Sequence, residues 1–306
     1  MKILESFDEL KTLDRPIHWA MGFFDGVHRG HARVIQSAST PGALRGVLTF
    51  AQHPLSLLRP EAQPLLLTPE PVFKAERLAS LGVDVLLRLS FTRELAATAP
   101  ADFLSTLAAA APLAGVSVGA NWHFGRGGTG NADFLRQEAE RLGFRACVSE
   151  LLLQGGDTIC SSRIRELLAA GDLERVGMML GYPFAISGVV SHGQHLAREL
   201  GFPTANITLP AHAALPPFGV YEVSCEVEGQ VLHGIANLGL RPTIHEQQKV
   251  VRLETHFLGG FSGDLYGQRL VIMLRRFLRA EQPFSSIVAL REQIARDVEA
   301  VQSRGC

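Results

Sequence analysis

The feature that most constrains this chain is a change of hydrophobic period near residue 180. Before it, short apolar runs alternate with helical patterns. "IHWAMG" (17–22), "RGVLTF" (45–50), "VDVLLRLSF" and "GVSVG" read as strands. "HARVIQSAS", "PEPVFKAERLASLG", "PADFLSTLAAAA" and "NADFLRQEAERLG" read as helices. Asn131 is the expected N-cap of the last and Gly143 its stop. Strand and helix in alternation predict a parallel sheet covered on both faces. "SSRIRELLAAGDLERVGMMLG" reads as a helix pair, with Ser161 or Ser162 capping the first, Asp172 the second and Gly181 ending it. After it the period becomes 2. "GVYEVSCEVEGQVLHGIANLG" (219–239) reads as a hairpin about Glu228-Gly229, and "KVVRLETHFL" and "QRLVIMLRRFL" as further strands. The expectation is a small antiparallel β-barrel closed by the helix "SSIVALREQIARDVEAVQ" (285–302). The boundary is expected near Tyr182-Pro183, giving domains 1–182 and 183–306.

Composition narrows the function class. With 306 residues, 46% hydrophobic and 19% charged, the chain has material for two ordinary cores. A formal charge of −1 gives no electrostatic reason to expect nucleic acid or an anionic membrane. No secretory leader or apolar membrane-spanning run is read, and Cys147, Cys160, Cys225 and Cys306 lack metal or disulfide spacing. The expected location is the cytoplasm.

Two stretches carry the chemistry. "MGFFDGVHRGH" (21–31) ends a strand and opens a helix, which aims backbone N–H groups at an anion. Gly22, Gly26 and Gly30 let the chain approach a ligand closely, with Phe24 between them, and His28 and His31 point at one phosphate if the turn runs directly into the helix. Such donors suit the charge that develops during adenylyl transfer. Asp25 reads either as helping to position the phosphate site or as bonding its own turn backbone, the second being favoured. The second stretch, "SHGQHLARELGFPTANITLP" (191–210), offers Thr204 and Asn206 as hard oxygen ligands for Mg²⁺ on a nucleotide.

These stretches resemble the bacterial bifunctional riboflavin kinase/FMN adenylyltransferases, or FAD synthetases. "GFFDGVHRGH" is similar to their form of the HxGH nucleotidyltransferase motif. "TFAQHP" (49–54), "GANWHFGRGGTGN" (119–131) and "ICSSRIRELLAAGDL" (159–173) match three further motifs in order. In the second half "GFPTAN", "NLGLRPT" (237–243), "LETHFL" (253–258), "GDLYG" (263–267) and "LRAEQPF" (278–284) match the riboflavin kinase order. The resemblance implies an α/β nucleotidyltransferase domain of the HxGH type followed by a kinase barrel. It implies that His28, His31, Ser161, Ser162 and Arg165 face the ATP phosphates, with Gly22, Phe24, Gly26, Gly30 and Gly193 also lining phosphate sites. Asn121 and Arg279 are implied on the flavin side, Thr204 and Asn206 with Mg·ATP, and Glu254 as general base toward the riboflavin 5′-hydroxyl. Read without the resemblance, Glu254 is an outward-facing strand residue, Ser161 and Ser162 are helix caps and Arg163 is a surface charge. Implied partners are riboflavin, FMN, FAD and ATP, with self-association left open. Two departures flank the first site, Phe23 for asparagine and Cys160 for serine. In the kinase loop Gln194-His195 and Ala197 depart from the family pattern, and Gly259-Gly260 stand where an acidic residue is frequent. Ala197 opens an alternative, an FMN adenylyltransferase whose weak or inactive kinase barrel serves as a flavin-binding module.

Overall fold

A computed structural model describes residues 1–191, 204–242, 249–259 and 263–303. The chain divides into two compact units, Met1–Arg163 and Ile164–Cys306. The first contains β1 (Lys2–Leu4), β2 (Ile17–Met21), α1 (Arg29–Ser37), β3 (Leu44–Phe50), α2 (Pro54–Leu58), α3 (Pro71–Ala79) and β4 (Val85–Leu89). It continues with α4 (Arg93–Ala97), α5 (Pro100–Ala110), β5 (Leu113–Gly119), α6 (Ala132–Leu142), β6 (Arg145–Ser149) and the small hairpin β7 (Leu153–Gln154) and β8 (Asp157–Thr158). The division falls inside α7 (Ser161–Ala169).

The six strands β1 to β6 form one parallel sheet in the order β1-β4-β3-β2-β5-β6. Every residue of β2, "IHWAM", is buried, as a central parallel strand requires. Its side chains alternate between two apolar layers. Ile17, Trp19 and Met21 join Phe103, Leu104 and Leu107 of α5 and Leu135 of α6. Ala20 joins Val34 and Ile35 of α1 and Ala75 and Leu78 of α3 on the opposite face. β2 lies between β3 and β5, so the strand order reverses beside it. The crevice beyond the carboxyl ends of β2 and β5 is therefore where an open sheet of this kind takes a ligand.

The expected punctuation is present. Asn131 caps α6 by accepting from the Phe134 N–H, and Gly143 ends it in the left-handed conformation. Asp172 caps α8 (Leu173–Leu180) by accepting from the Arg175 N–H. Edge strands β1 and β6 are additions to the expected sheet. Their exposed and half-buried residues gave no apolar run.

The second unit holds β9 (Ala185–Ser191), β10 (Ala205–Thr208), β11 (Gly219–Val227), β12 (Gln230–Pro242), β13 (Lys249–Phe257), β14 (Arg269–Ala280) and α9 (Ile287–Gln302). The strands close into an antiparallel barrel, β10-β13-β12-β11-β14-β9. Glu228 and Gly229 both take positive φ, 51° and 78°, which fits the two-residue β11–β12 turn. Ser286 caps α9, and Ile294, Val298 and Val301 of that helix pack on Val220 and Ile235.

Candidate active sites

In the first unit the glycine-rich loop leads directly from β2 into α1, as expected. His28 is the N-cap of α1, and its Nδ1 accepts the His31 N–H at 3.2 Å. That bond fixes the tautomer, because an accepting Nδ1 leaves the proton on Nε2. The two imidazoles stack with centroids 3.5 Å apart and planes 18° from parallel. Burial lowers the His28 pKa to about 4. Burial, then the charges of His28 and Lys74, hold His31 well below the ordinary histidine value. Both rings are thus neutral at pH 7. The Nδ1 of His31 is sealed from solvent and takes no hydrogen bond among the described residues, an exception in a folded interior.

The loop is held from below. Phe24 takes a positive φ of 55°, and its buried ring stands edge-on to His31 at 5.2 Å. Gly30 is needed for close approach: a Cβ there would lie 3.1 Å from the His28 ring and 3.3 Å from the Ile159 carbonyl. Thr49, from "TFAQHP", donates to the Phe23 carbonyl at 2.9 Å. His53 of the same stretch caps α2 and meets the Phe23 ring edge-on.

Asp25 reaches well beyond its own turn. Its buried carboxylate accepts from the N–H groups of Leu67 at 3.1 Å and Thr68 at 3.0 Å, and from Thr68 Oγ1 at 3.3 Å. Thr68 Oγ1 in turn accepts the Gly26 N–H at 3.1 Å. The carboxylate therefore ties the loop to a segment more than forty residues on. Helix capping by Ser161 or Ser162 is corrected. Both lie inside the first turn of α7, and Ser161 Oγ donates to the Asp25 carbonyl at 2.9 Å. Arg163 is half-buried and pairs with Asp157 at 3.1 Å, so it is more than a solvated surface charge. Arg165 follows Ser161 by one helical turn on α7 and is half-buried. Asn121 is exposed just beyond the end of β5, the strand beside β2, with its Oδ1 3.3 Å from where a Gly119 Cβ would sit.

Sequence reasoning missed Lys74. Its Nζ donates to the Phe23 carbonyl, lies 3.2 Å from Thr49 Oγ1 and stands 4.2 Å over the Phe23 ring. Burial lowers its pKa to about 8, with Asp25 opposing that shift and Arg88 adding to it. The only available signal was its place in "PVFKAERLA", where a lysine reads as a solvated helix residue.

In the barrel, strand register supplies the site. Glu254 of β13 is directly opposite Asn206 of β10 on one side and Asn237 of β12 on the other. Opposed residues of antiparallel strands share a face, so the carboxylate sits in a row between two amides. Its neighbours Leu253 and Thr255 are fully buried and face the barrel interior. Glu254 is therefore outward-facing relative to that interior, yet only half exposed. Asn206 is buried, and its Nδ2 reaches the Thr204 carbonyl at 3.2 Å and Thr204 Oγ1 at 3.4 Å. Asn237 Nδ2 donates to Glu281 at 3.0 Å. Arg279, implied on the flavin side, is engaged by Asp297 of α9 through contacts of 2.8 to 3.0 Å, and its Nη1 donates to the Ala280 carbonyl at 3.1 Å. Gly193, Gln194, His195, Ala197 and Gly260 lie outside the described residues.

The Thr204 and Asn206 side chains are in contact, and the Asn206 amide oxygen takes no hydrogen bond among the described residues. That donor set fits a hard divalent cation.

The family model for FAD synthetase matches residues 10–163, and that for riboflavin kinase matches residues 180–304. A bifunctional riboflavin kinase/FMN adenylyltransferase of Pseudomonas fluorescens is 36% identical over 308 residues, covering 99% of this chain and 97% of its own. One from Escherichia coli K12 is 38% identical over 283 residues, covering 90% and 89%. A crystal structure of a macrolide-efflux protein from Streptococcus pneumoniae is similar with a TM-score of 0.84 at 24% identity, covering 99% of both chains. That last likeness bears on the fold alone.

Proposed function

The chain belongs to the bifunctional riboflavin kinase/FMN adenylyltransferase family, and we propose that its two activities are carried by the two side-chain constellations described above. It phosphorylates riboflavin with ATP to give FMN and ADP, then transfers AMP from a second ATP to FMN, giving FAD and pyrophosphate. We assign adenylyl transfer to residues 1–182 and phosphoryl transfer to residues 183–306.

In adenylyl transfer a phosphate oxygen of FMN bonds to the α-phosphorus of ATP, and the bond from that phosphorus to the bridging oxygen breaks. The electron pair leaves on pyrophosphate. The protein needs no covalent intermediate; its task is to hold the groups in line and stabilise charge. In this reading His28 donates its Nε2–H to a phosphate oxygen. His31, the first N–H groups of α1, Ser161, Ser162 and Arg165 serve the same triphosphate. Gly22, Phe24, Gly26 and Gly30 shape the cradle, and Asn121 meets the flavin side. The observation that carries the assignment is the neutral, stacked His28–His31 pair at the N-terminus of α1, beside the point where strand order reverses.

In the kinase reaction Glu254 takes the proton of the riboflavin 5′-hydroxyl as its oxygen bonds to the γ-phosphorus, and ADP leaves. The Asn206–Glu254–Asn237 row supports this role, since a general base must be held where the hydroxyl arrives. Thr204 and Asn206 would hold Mg²⁺, which when bound neutralises phosphate charge. Arg279, fixed by Asp297, borders the flavin side. Cytoplasmic residence and the absence of a nucleic-acid partner are part of the same proposal; no described helix is long and apolar enough to cross a membrane.

The test is to incubate the pure chain with ATP and Mg²⁺ and either riboflavin or FMN, separating flavins by chromatography over time. FAD from both is expected. FAD from FMN alone would reduce the barrel to a flavin-binding module. FAD from neither would overturn the assignment.

A further inference from the structure

Lys74 is a half-buried ammonium that forms no ion pair among the described residues. Among the described residues its partners are the Phe23 carbonyl, the Thr49 hydroxyl and the Phe23 ring. The nearest negative charge it feels is Asp25, whose carboxylate is already taken by the Leu67 and Thr68 N–H groups. The other charged or titratable groups facing it are Arg88 of β4 and His31 of α1. Neither offsets its charge. Withdrawing a cation from water beside a carboxylate that is already hydrogen-bonded elsewhere is costly, and a neutral side chain of similar length would fill the space more cheaply. Two of its three N–H donors are used and one remains. It also touches the carbonyl of the loop that presents His28 and His31, so the missing anion belongs to whatever that loop receives.

We propose that Lys74 is a phosphate-binding residue of the adenylyl-transfer site, supplying positive charge to the ATP triphosphate from the α3 side of the glycine loop. The inference rests on the reading of the first unit given above. Lys74 transfers no proton. It stabilises the negative charge that passes to the departing pyrophosphate as the bond between the α-phosphorus and the bridging oxygen breaks.

The test compares Lys74→Met and Lys74→Arg with the parent in both reactions. The kinase reaction, run on the same preparations, is the internal control for folding. For Lys74→Met the expected result is a loss on the order of 10²-fold in kcat/KM for ATP in FMN adenylylation, with riboflavin phosphorylation unchanged. Lys74→Arg keeps the charge and retains most of the activity. In the parent, kcat/KM falls as pH rises through about 8, where Lys74 loses its proton. In Lys74→Arg that alkaline fall is absent. Adenylylation undiminished in Lys74→Met would overturn the proposal. So would equal losses in both variants with the alkaline fall still present, since that pattern marks a loop prop and not a charge. His28→Ala separates the two levels. If it abolishes adenylylation while Lys74→Met does not, only the lysine proposal fails; if neither matters, the site reading has failed.

Discussion

Replacing Asp25 with asparagine tests how the first site is held together. The carboxylate is 3% exposed and accepts from two backbone N–H groups, at 3.0 and 3.1 Å, and from one hydroxyl at 3.3 Å. The two N–H groups address different oxygens, Oδ2 for Leu67 and Oδ1 for Thr68. An asparagine offers one acceptor and one donor, so one N–H must face an NH₂ group. The cost is a charge-assisted bond, roughly 1.5–3 kcal/mol, and a buried donor left unpaired, about 1–3 kcal/mol. A loss of about 2.5–6 kcal/mol is therefore expected, a large share of the roughly 5–15 kcal/mol that holds a domain folded. Both tryptophans, Trp19 and Trp122, lie in the first unit, so denaturant unfolding followed by indole fluorescence reads that unit alone. The same substitution should depress FMN adenylylation, since the Asp25 carbonyl also receives Ser161 and Thr68 holds Gly26. Riboflavin phosphorylation should persist. An unfolding free energy changed by less than about 0.5 kcal/mol, the range of an ordinary surface change, would refute the reasoning.

Three further outcomes are expected. His18 is fully buried, with Nδ1 2.8 Å from Thr40 Oγ1 and Nε2 3.0 Å from Ser117 Oγ, and burial lowers its pKa to about 4. Between its folded value and the ordinary 6.5 the unfolded chain binds the extra proton, so its contribution is complete above pH 6.5 and is lost as pH falls toward 4, a loss of up to roughly 3 kcal/mol. Fluorescence-monitored unfolding should show that fall in the parent and a shallower one in His18→Gln. Asp297→Ala should destabilise the barrel by about 3–5 kcal/mol, because Arg279, only 20% exposed, is left without its anion. Adding Arg279→Met should recover much of the loss in calorimetric melting. Glu254→Gln keeps the shape of the amide-flanked row and removes the base. FMN formation should fall on the order of 10²–10⁴-fold while FAD formation from supplied FMN continues, as flavin chromatography would show.

The parts legible in the sequence were those whose cause is local. Asn131, Gly143, Asp172, Gly181 and the Glu228-Gly229 turn each act on backbone within a few residues, so their residue type announces their conformation. The loop from β2 into α1 was legible for the same reason. What escaped depends on contacts between distant segments. Nothing in "FFDGVH" indicates that Asp25 holds Leu67 and Thr68, and nothing in "PVFKAERLA" indicates that Lys74 turns inward onto the Phe23 carbonyl and ring. The opposition of Glu254 to Asn206 and Asn237 is likewise a matter of register across three strands, which period-2 alternation does not determine.

The most direct test of the central claim is the flavin product made from riboflavin, ATP and Mg²⁺ by the His28→Ala variant. If the stacked histidine pair serves adenylyl transfer and the barrel works with its own residues, the variant makes FMN at the parent's rate and FAD fails to follow. FAD accumulating as fast as in the parent would contradict the account.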